Sequence, residues 1–249
     1  MLSLAAEEEF ELSTGAQCLI RPNAGSGRVG VVSLHPWGPL GGSLDDPHVR
    51  AVTQFFGKGG CATCRVQFRS GFGRGEASVD DAVAAADALL AMAGVDRVVV
   101  VGYSYGACVA MRAAFRLAPG GALAGWAALN PPLDYAWFLF AWNWRHLDDA
   151  RATDCPKLVL HATADVFCSN GTFDAFAESL GESATVLRAP GAIHFDLRSA
   201  IAPALGQWLR EGFRCADAGE FARRGARYLI TRCLARISRA WSRVAGSLA

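Results

Sequence analysis

Ser104 stands in the stretch Gly102-Tyr103-Ser104-Tyr105-Gly106, directly after a run of valines. A serine hydroxyl is a weak nucleophile until a base takes its proton. Its partners have to come from elsewhere in the chain. His194, in Pro190-Gly191-Ala192-Ile193-His194, is the candidate base. Asp165, in Ala162-Thr163-Ala164-Asp165, is the candidate acid that would hold one imidazole tautomer and stabilise the imidazolium. Gly102 and Gly106 suit a turn in which larger side chains would collide with neighbouring elements. The backbone N–H groups of Tyr105 and of Trp37, in His35-Pro36-Trp37-Gly38, are the candidate donors to a developing oxyanion. Together these groups would perform acyl transfer.

For that chemistry the residues must meet, and the elements around them have to bring them together. "RVGVVSL", "CATCRVQF", "RVVVVG", "AGWAAL", "PKLVLH" and "ATVLR" read as strands, with "QCLIRPN" an earlier one. Helical spacing falls between them, in "PHVRAVTQFFGK", "VDDAVAAADALLAMA", "YGACVAMRAAFRLA", "GTFDAFAESLG" and "DLRSAIAPALGQWLREGF". Ser78 is the expected N-cap of the second helix. Strand and helix in alternation predict an α/β fold, a mostly parallel doubly wound sheet flanked by helices. Sites in such sheets form at the carboxyl ends of the strands. Trp37, Ser104, Asp165 and His194 each follow a predicted strand, so one sheet edge would gather them all.

Other acids compete with Asp165. Asp154 precedes its strand, Asp174 and Asp196 fall in or near helices, and Asp134 lies in the loop after "AGWAAL". His35 and His161 also sit at strand ends, as loop-shaping or hydrogen-bonded neighbours of the site. The stretch "DYAWFLFAWNW" packs six aromatics into eleven residues where a small cap could form. It serves either as core packing or as an apolar wall. The expected substrate pocket comprises His35, Tyr103, Tyr135, Trp137 and Phe138.

The chain has 249 residues and 52% hydrophobic residues, enough for one sizeable core. Its net charge of +1 gives no general affinity for nucleic acid. The N-terminus lacks the basic start and apolar core of a signal peptide, and no apolar run is long enough to span a membrane, so a cytoplasmic protein is expected. Eight scattered cysteines then read as reduced thiols. Cys61 and Cys64 have CxxC spacing but enter a strand rather than opening a helix. No metal site and no cofactor are expected.

The motifs resemble those of the α/β-hydrolase superfamily, in particular the compact dienelactone-hydrolase-like serine hydrolases, among them a branch of hydrolase-like domains from human proteins. "LHPWGPLGGSLDD" resembles the family's oxyanion loop, "FRSGFGRGEASVDDAVAAADAL" its Phe-Arg-Gly segment and acidic helix start, and "GYSYGA" its nucleophile turn. "NPPLDY", "PKLVLHATADVFC" and "GAIHF" resemble the segments around the acid and the histidine. The likeness covers roughly residues 28 to 212. Two positions depart from the pattern, Ala162 and Ser70, where the family carries glycine. The resemblance implies an esterase-type serine hydrolase acting on a small acyl ester or thioester. It also admits a catalytically idle fold used as an interaction module.

Residues 1–213 are expected to form the hydrolase domain, with its core from about residue 17, and residues 214–249 a basic amphipathic helical segment. There Ile230, Leu234, Ile237, Trp241, Val244 and Leu248 recur on one face, and Arg232, Arg236, Arg239 and Arg243 on the other. Residues 219–249 would dock on the domain, meet an anionic membrane surface as a peripheral contact, or fill a partner's groove. In the membrane case the chain would be a lipid or acyl-protein hydrolase.

Overall fold

The structure is a computed structural model and describes residues 6–23 and 28–215. One sheet of eight strands runs in the order β1-β2-β4-β3-β5-β6-β7-β8. β1 (Glu8–Glu11) and β2 (Gln17–Arg21) form an antiparallel edge, and β2 pairs antiparallel with β4 (Ala62–Val66). The remaining strands are parallel: β3 (Val29–Leu34), β5 (Arg97–Tyr103), β6 (Leu123–Leu129), β7 (Lys157–Ala162) and β8 (Ala184–Ala189). β1 has no counterpart in the sequence reading. Its residues, Glu8-Glu9-Phe10-Glu11, are all exposed, so no buried face patterns them.

Alternation along the central strands builds two cores. Val98, Val100, Trp126 and Val159 pack under α2 (Glu76–Leu90) and α3 (Tyr105–Leu117). Val99, Val101, Ala127 and Leu158 face the other way, under α1 (Pro47–Lys58) and α7 (Arg198–Cys215). Successive side chains of a strand point to opposite faces, so a strand covered on both sides becomes a continuous apolar run. The connection between β6 and β7 holds two short helices, α4 (Ala136–Leu139) and α5 (Arg145–Ala152), and α6 (Asn170–Glu178) follows β7. α4 falls within the aromatic stretch, and α5 follows it and packs against α3.

Ser78 is not an N-cap. α2 starts two residues earlier, at Glu76, with Gly75 ahead of it at φ +80°. Inside the helix the Ser78 hydroxyl donates to Ser70 O at 2.8 Å. Asp196 falls two residues before α7 begins, near its first turn. The segment 219–249 lies outside the described residues. Among those described, no helix is long and apolar enough to cross a membrane.

Chain order reverses at β3 and β5: β4 lies on one side of β3, and the next strand, β5, lies on the other. A crevice opens at such a switch point, outside the carboxyl ends of the strands. Leu34 pairs with Gly102 across this junction, so the loop after β3 and the turn after β5 emerge side by side.

Candidate active site

Ser104 joins β5 to α3 at φ 55° and ψ −121°, a conformation that costs a non-glycine residue roughly 1–3 kcal/mol. The neighbours hold it there. A Cβ at Gly102 would sit 1.9 Å from Gly106 O, and one at Gly106 would sit 2.6 Å from both Leu34 O and His35 O. The turn therefore closes against β3 only with glycine at both places. Ser104 N–H donates to Leu129 O at 2.9 Å, which fixes the turn to β6 as well.

Ser104 Oγ lies 2.9 Å from His194 Nε2, across 90 residues of sequence. His194 Nδ1 lies 2.8 Å from Asp165 Oδ2. An ionised carboxylate can only accept, so the imidazole proton resides on Nδ1 and Nε2 presents a lone pair to the serine hydroxyl. The Asp165 side chain is fully buried. Its other oxygen accepts from the Phe167 N–H at 2.6 Å, so both oxygens are engaged.

The histidine loop is anchored from below. Tyr103 Oη donates to His194 O at 2.6 Å, and burial holds this phenol well above its ordinary pKa, so it stays protonated. Asn130, directly after β6, is fully buried with φ 54°. Its Oδ1 accepts from Ala162 N–H at 2.8 Å and its amide nitrogen reaches His194 O at 3.4 Å. Asn130 thus ties the end of β7, ahead of the acid, to the histidine loop. The sequence reading did not single it out. The signal was present: the same search for polar residues after each strand, extended to β6, ends on Asn130.

Tyr105 opens α3, where the first N–H groups lack intrahelical acceptors. Its ring points away from the cavity into the core, stacked on Phe140 at 4.9 Å and bonded to the Ser78 hydroxyl at 3.0 Å, with burial pushing the phenol up to about 12. Trp37 sits in the loop after β3. Its carbonyl accepts from the Leu40 and Gly42 N–H groups, both at 3.1 Å, and its indole N–H donates to Gly71 O. A Cβ at Gly42 would stand 2.1 Å from Pro36 O, so the loop can fold back on itself only with glycine there.

A cavity of about 430 Å³ opens beside Ser104 and His194. Tyr103, Tyr135 and Phe138 line it, as do Trp37, Leu40, Phe167 and Phe195. Two expected pocket residues do not. His35 is buried behind the loop: Nδ1 bonds Pro36 O at 2.5 Å and Nε2 accepts from Phe68 N–H at 3.1 Å. It braces the loop instead of meeting a ligand, and burial pushes its pKa down. Trp137 turns outward to pack on Trp142 at 5.4 Å. Phe167 and Phe195 were missed because they flank the triad residues in loops without periodicity; both rings pack against His194.

Two of the rival acids are occupied elsewhere. Asp134 accepts from Ser169 N–H and Thr172 Oγ1 at the start of α6, and Asp174 pairs with Arg188. His161 lies in β7, bonded to Asn170 and stacked on Phe173. Cys61 and Cys64 are buried and in no disulfide, as are Cys18, Cys108, Cys155 and Cys168. Among the described residues, no cluster of His, Cys, Asp or Glu could hold a metal ion.

Neither a protein-family model nor a curated protein sequence matches this chain. Solved structures do. A serine hydrolase without a lid from Xanthomonas campestris superposes with a TM-score of 0.65 at 24% identity, covering 84% of this chain and 96% of its own. Est1E from Butyrivibrio proteoclasticus gives 0.70 at 14% identity over 84% and 100%. A dienelactone hydrolase from Anabaena variabilis gives 0.64 at 18% identity over 84% and 98%. At these identities the likeness establishes the architecture: the chain has the α/β-hydrolase fold.

Proposed function

We propose that this α/β-hydrolase-fold chain is a serine hydrolase that cleaves an ester or thioester of an apolar acyl group. One observation carries the reading: a serine in a strained turn, hydrogen-bonded to an imidazole that a buried carboxylate orients, at the wall of an apolar cavity. Ser104 Oγ attacks the carbonyl carbon and gives its proton to His194 Nε2. Asp165 keeps the imidazole in the Nδ1–H tautomer and stabilises the imidazolium. The carbonyl oxygen, now negative, takes hydrogen bonds from the Tyr105 and Trp37 N–H groups, a stabilisation worth about 3–4 kcal/mol per donor in comparable sites. His194 then passes its proton to the leaving alcohol or thiol. In the second half His194 activates water, which releases the acid and restores the serine.

The cavity wall supports the substrate class. Its aromatic and aliphatic side chains favour an apolar acyl or aryl group. The hydrolase unit is assigned to residues 1–213, with the arginine-rich segment 214–249 appended to it. A fluorophosphonate probe tests the reading: it labels wild-type protein and not Ser104→Ala. Well-folded wild-type protein that resists the probe would leave the fold serving as an interaction module. A series of p-nitrophenyl esters of graded chain length then reports the preferred acyl group.

A further inference from the structure

One corner of the cavity is polar, and acyl transfer does not use it. Asp46 ends the loop after β3 and caps α1. Its Oδ1 accepts from His48 N–H at 2.8 Å and lies 2.9 Å from His48 Nδ1. The carboxylate accepts, so Nδ1 donates to it. The His48 side chain is only 6% exposed. It stacks on the Tyr103 ring at 3.9 Å, and it lines the cavity. Its Nε2 is buried without a hydrogen-bond partner. Asp46 lines the same cavity with 17% of its side chain exposed, and its second oxygen, Oδ2, has no partner among the described residues.

The corner therefore presents one carboxylate oxygen in search of a donor. Among the described residues no lysine or arginine lines the cavity, and the Asp46 carboxylate meets only the His48 imidazole there. The remaining hydroxyls nearest the reacting centre are committed: Tyr103 donates to His194 O and Ser104 bonds His194 Nε2. A group entering this corner has to bring a proton. A second carboxylate would meet Asp46 as a like charge in an apolar wall. An ammonium would lose far more hydration than a hydroxyl on entering the same wall.

We propose that Asp46, oriented by His48, forms a hydroxyl-binding subsite of this cavity. It selects esters whose apolar acyl chain carries a hydroxyl and rejects those whose chain carries a carboxylate. The substrate donates its hydroxyl proton to Asp46 Oδ2. His48 holds Oδ1 and so leaves Oδ2 to accept from a ligand; it is a positioning residue. The proposal rests on the ester-hydrolase reading for its substrate class, but the subsite itself can be read without turnover.

The experiment uses full-length Ser104→Ala protein and isothermal titration. The ligands are methyl esters of matched acyl length ending in methyl, hydroxyl or carboxylate, with chains of four to ten carbons. A hydrogen bond to a charged acceptor predicts that, at the best-fitting length, the hydroxyl ester binds about tenfold more tightly than the methyl-ended ester. Like-charge repulsion adds to this gap, so the carboxylate ester binds about 100-fold more weakly than the hydroxyl ester. Asp46→Asn keeps an N-cap oxygen for α1 and turns an amide NH₂ to the cavity in place of an acceptor. In that background the gap between hydroxyl and carboxylate esters closes to within about threefold. Equal binding of all three ligands at every length, binding of none, or a gap that survives Asp46→Asn would each overturn the subsite. Turnover of the same esters by wild-type protein is scored separately. Selective binding without hydrolysis would retain the subsite and refute the hydrolase.

Discussion

Gly102→Ala tests the geometry of the serine turn directly. A Cβ at this position begins 1.9 Å from the Gly106 carbonyl oxygen, and real Cβ contacts stay beyond 3.0 Å. The two backbones have to separate by about 1.1 Å. Neither can retreat freely. Gly102 is hydrogen-bonded between β3 and β6, and Gly106 lies against Leu34 O and His35 O. The strain of overpacking costs about 1–3 kcal/mol of stability. The functional effect is larger than the stability effect. Ser104 sits between the two glycines, and a shift of about 1 Å at the nucleophile costs on the order of 100-fold in rate. Urea unfolding gives the first quantity and the rate of fluorophosphonate labelling gives the second. Gly120→Ala is the control. Nothing lies within 4 Å of a Cβ there and its φ is not positive, so stability and labelling stay near wild type. If Gly102→Ala matched wild type in both measurements, the close-contact account of the turn would be wrong.

Asn130→Ala strips the buried Ala162 N–H of its acceptor and places alanine at positive φ, costing about 2–4 kcal/mol in chemical unfolding. Asn130→Gly restores the backbone freedom but not the hydrogen bond, so it recovers part of the stability while labelling stays slow. Arg112 binds Asp149 at 2.5 Å and Glu76 at 3.0 Å, and so links α3 to both α5 and α2. Arg112→Ala leaves the Asp149 carboxylate buried and unpaired, and unfolding in denaturant should show a loss of about 3 kcal/mol. Three buried imidazoles, those of His35, His146 and His161, have pKa values lowered chiefly by desolvation. The unfolded chain protonates them first as pH falls. The stability they support is present above the unfolded value near 6.5 and is lost as pH drops below it toward the folded values. The urea midpoint should therefore fall between pH 7.5 and 5.5, and His161→Gln should flatten part of that slope; a rising midpoint would contradict the assignment.

Much of the site could be read from the chain because strands and helices declare themselves by period. Valine runs bounded by turns placed β3 and β5, and the residues after them followed. The cavity was less legible. Leu40, Phe167 and Phe195 come from loops, whose course is fixed by contacts to other elements and leaves no repeating pattern. Asp46-Pro47-His48 reads as an ordinary helix start, and one oxygen of Asp46 does cap α1. That the other oxygen is left over beside the cavity depends on how α1 packs against β5. His35 took its loop-shaping role rather than a place in the pocket for a related reason. A polar residue at a strand end can face the crevice or turn under the loop, and the Phe68 N–H drew it under.

By itself the sequence determined the central alternation of strands and helices, the parallel sheet and the edge at which Ser104, Asp165 and His194 emerge. Period, propensity and glycine placement are local properties, and they suffice for that. Tertiary structure decided the rest. Ser104 and His194 are 90 residues apart, and the 2.9 Å between them is set by how separate loops leave the sheet. The choice of Asp165 over Asp134, the tautomer of His194, the glycine contacts around Ser104 and the place of Asp46 in the cavity wall all follow from packing between distant segments. Distances of that kind are properties of the folded chain, because only closed packing fixes them to fractions of an ångström.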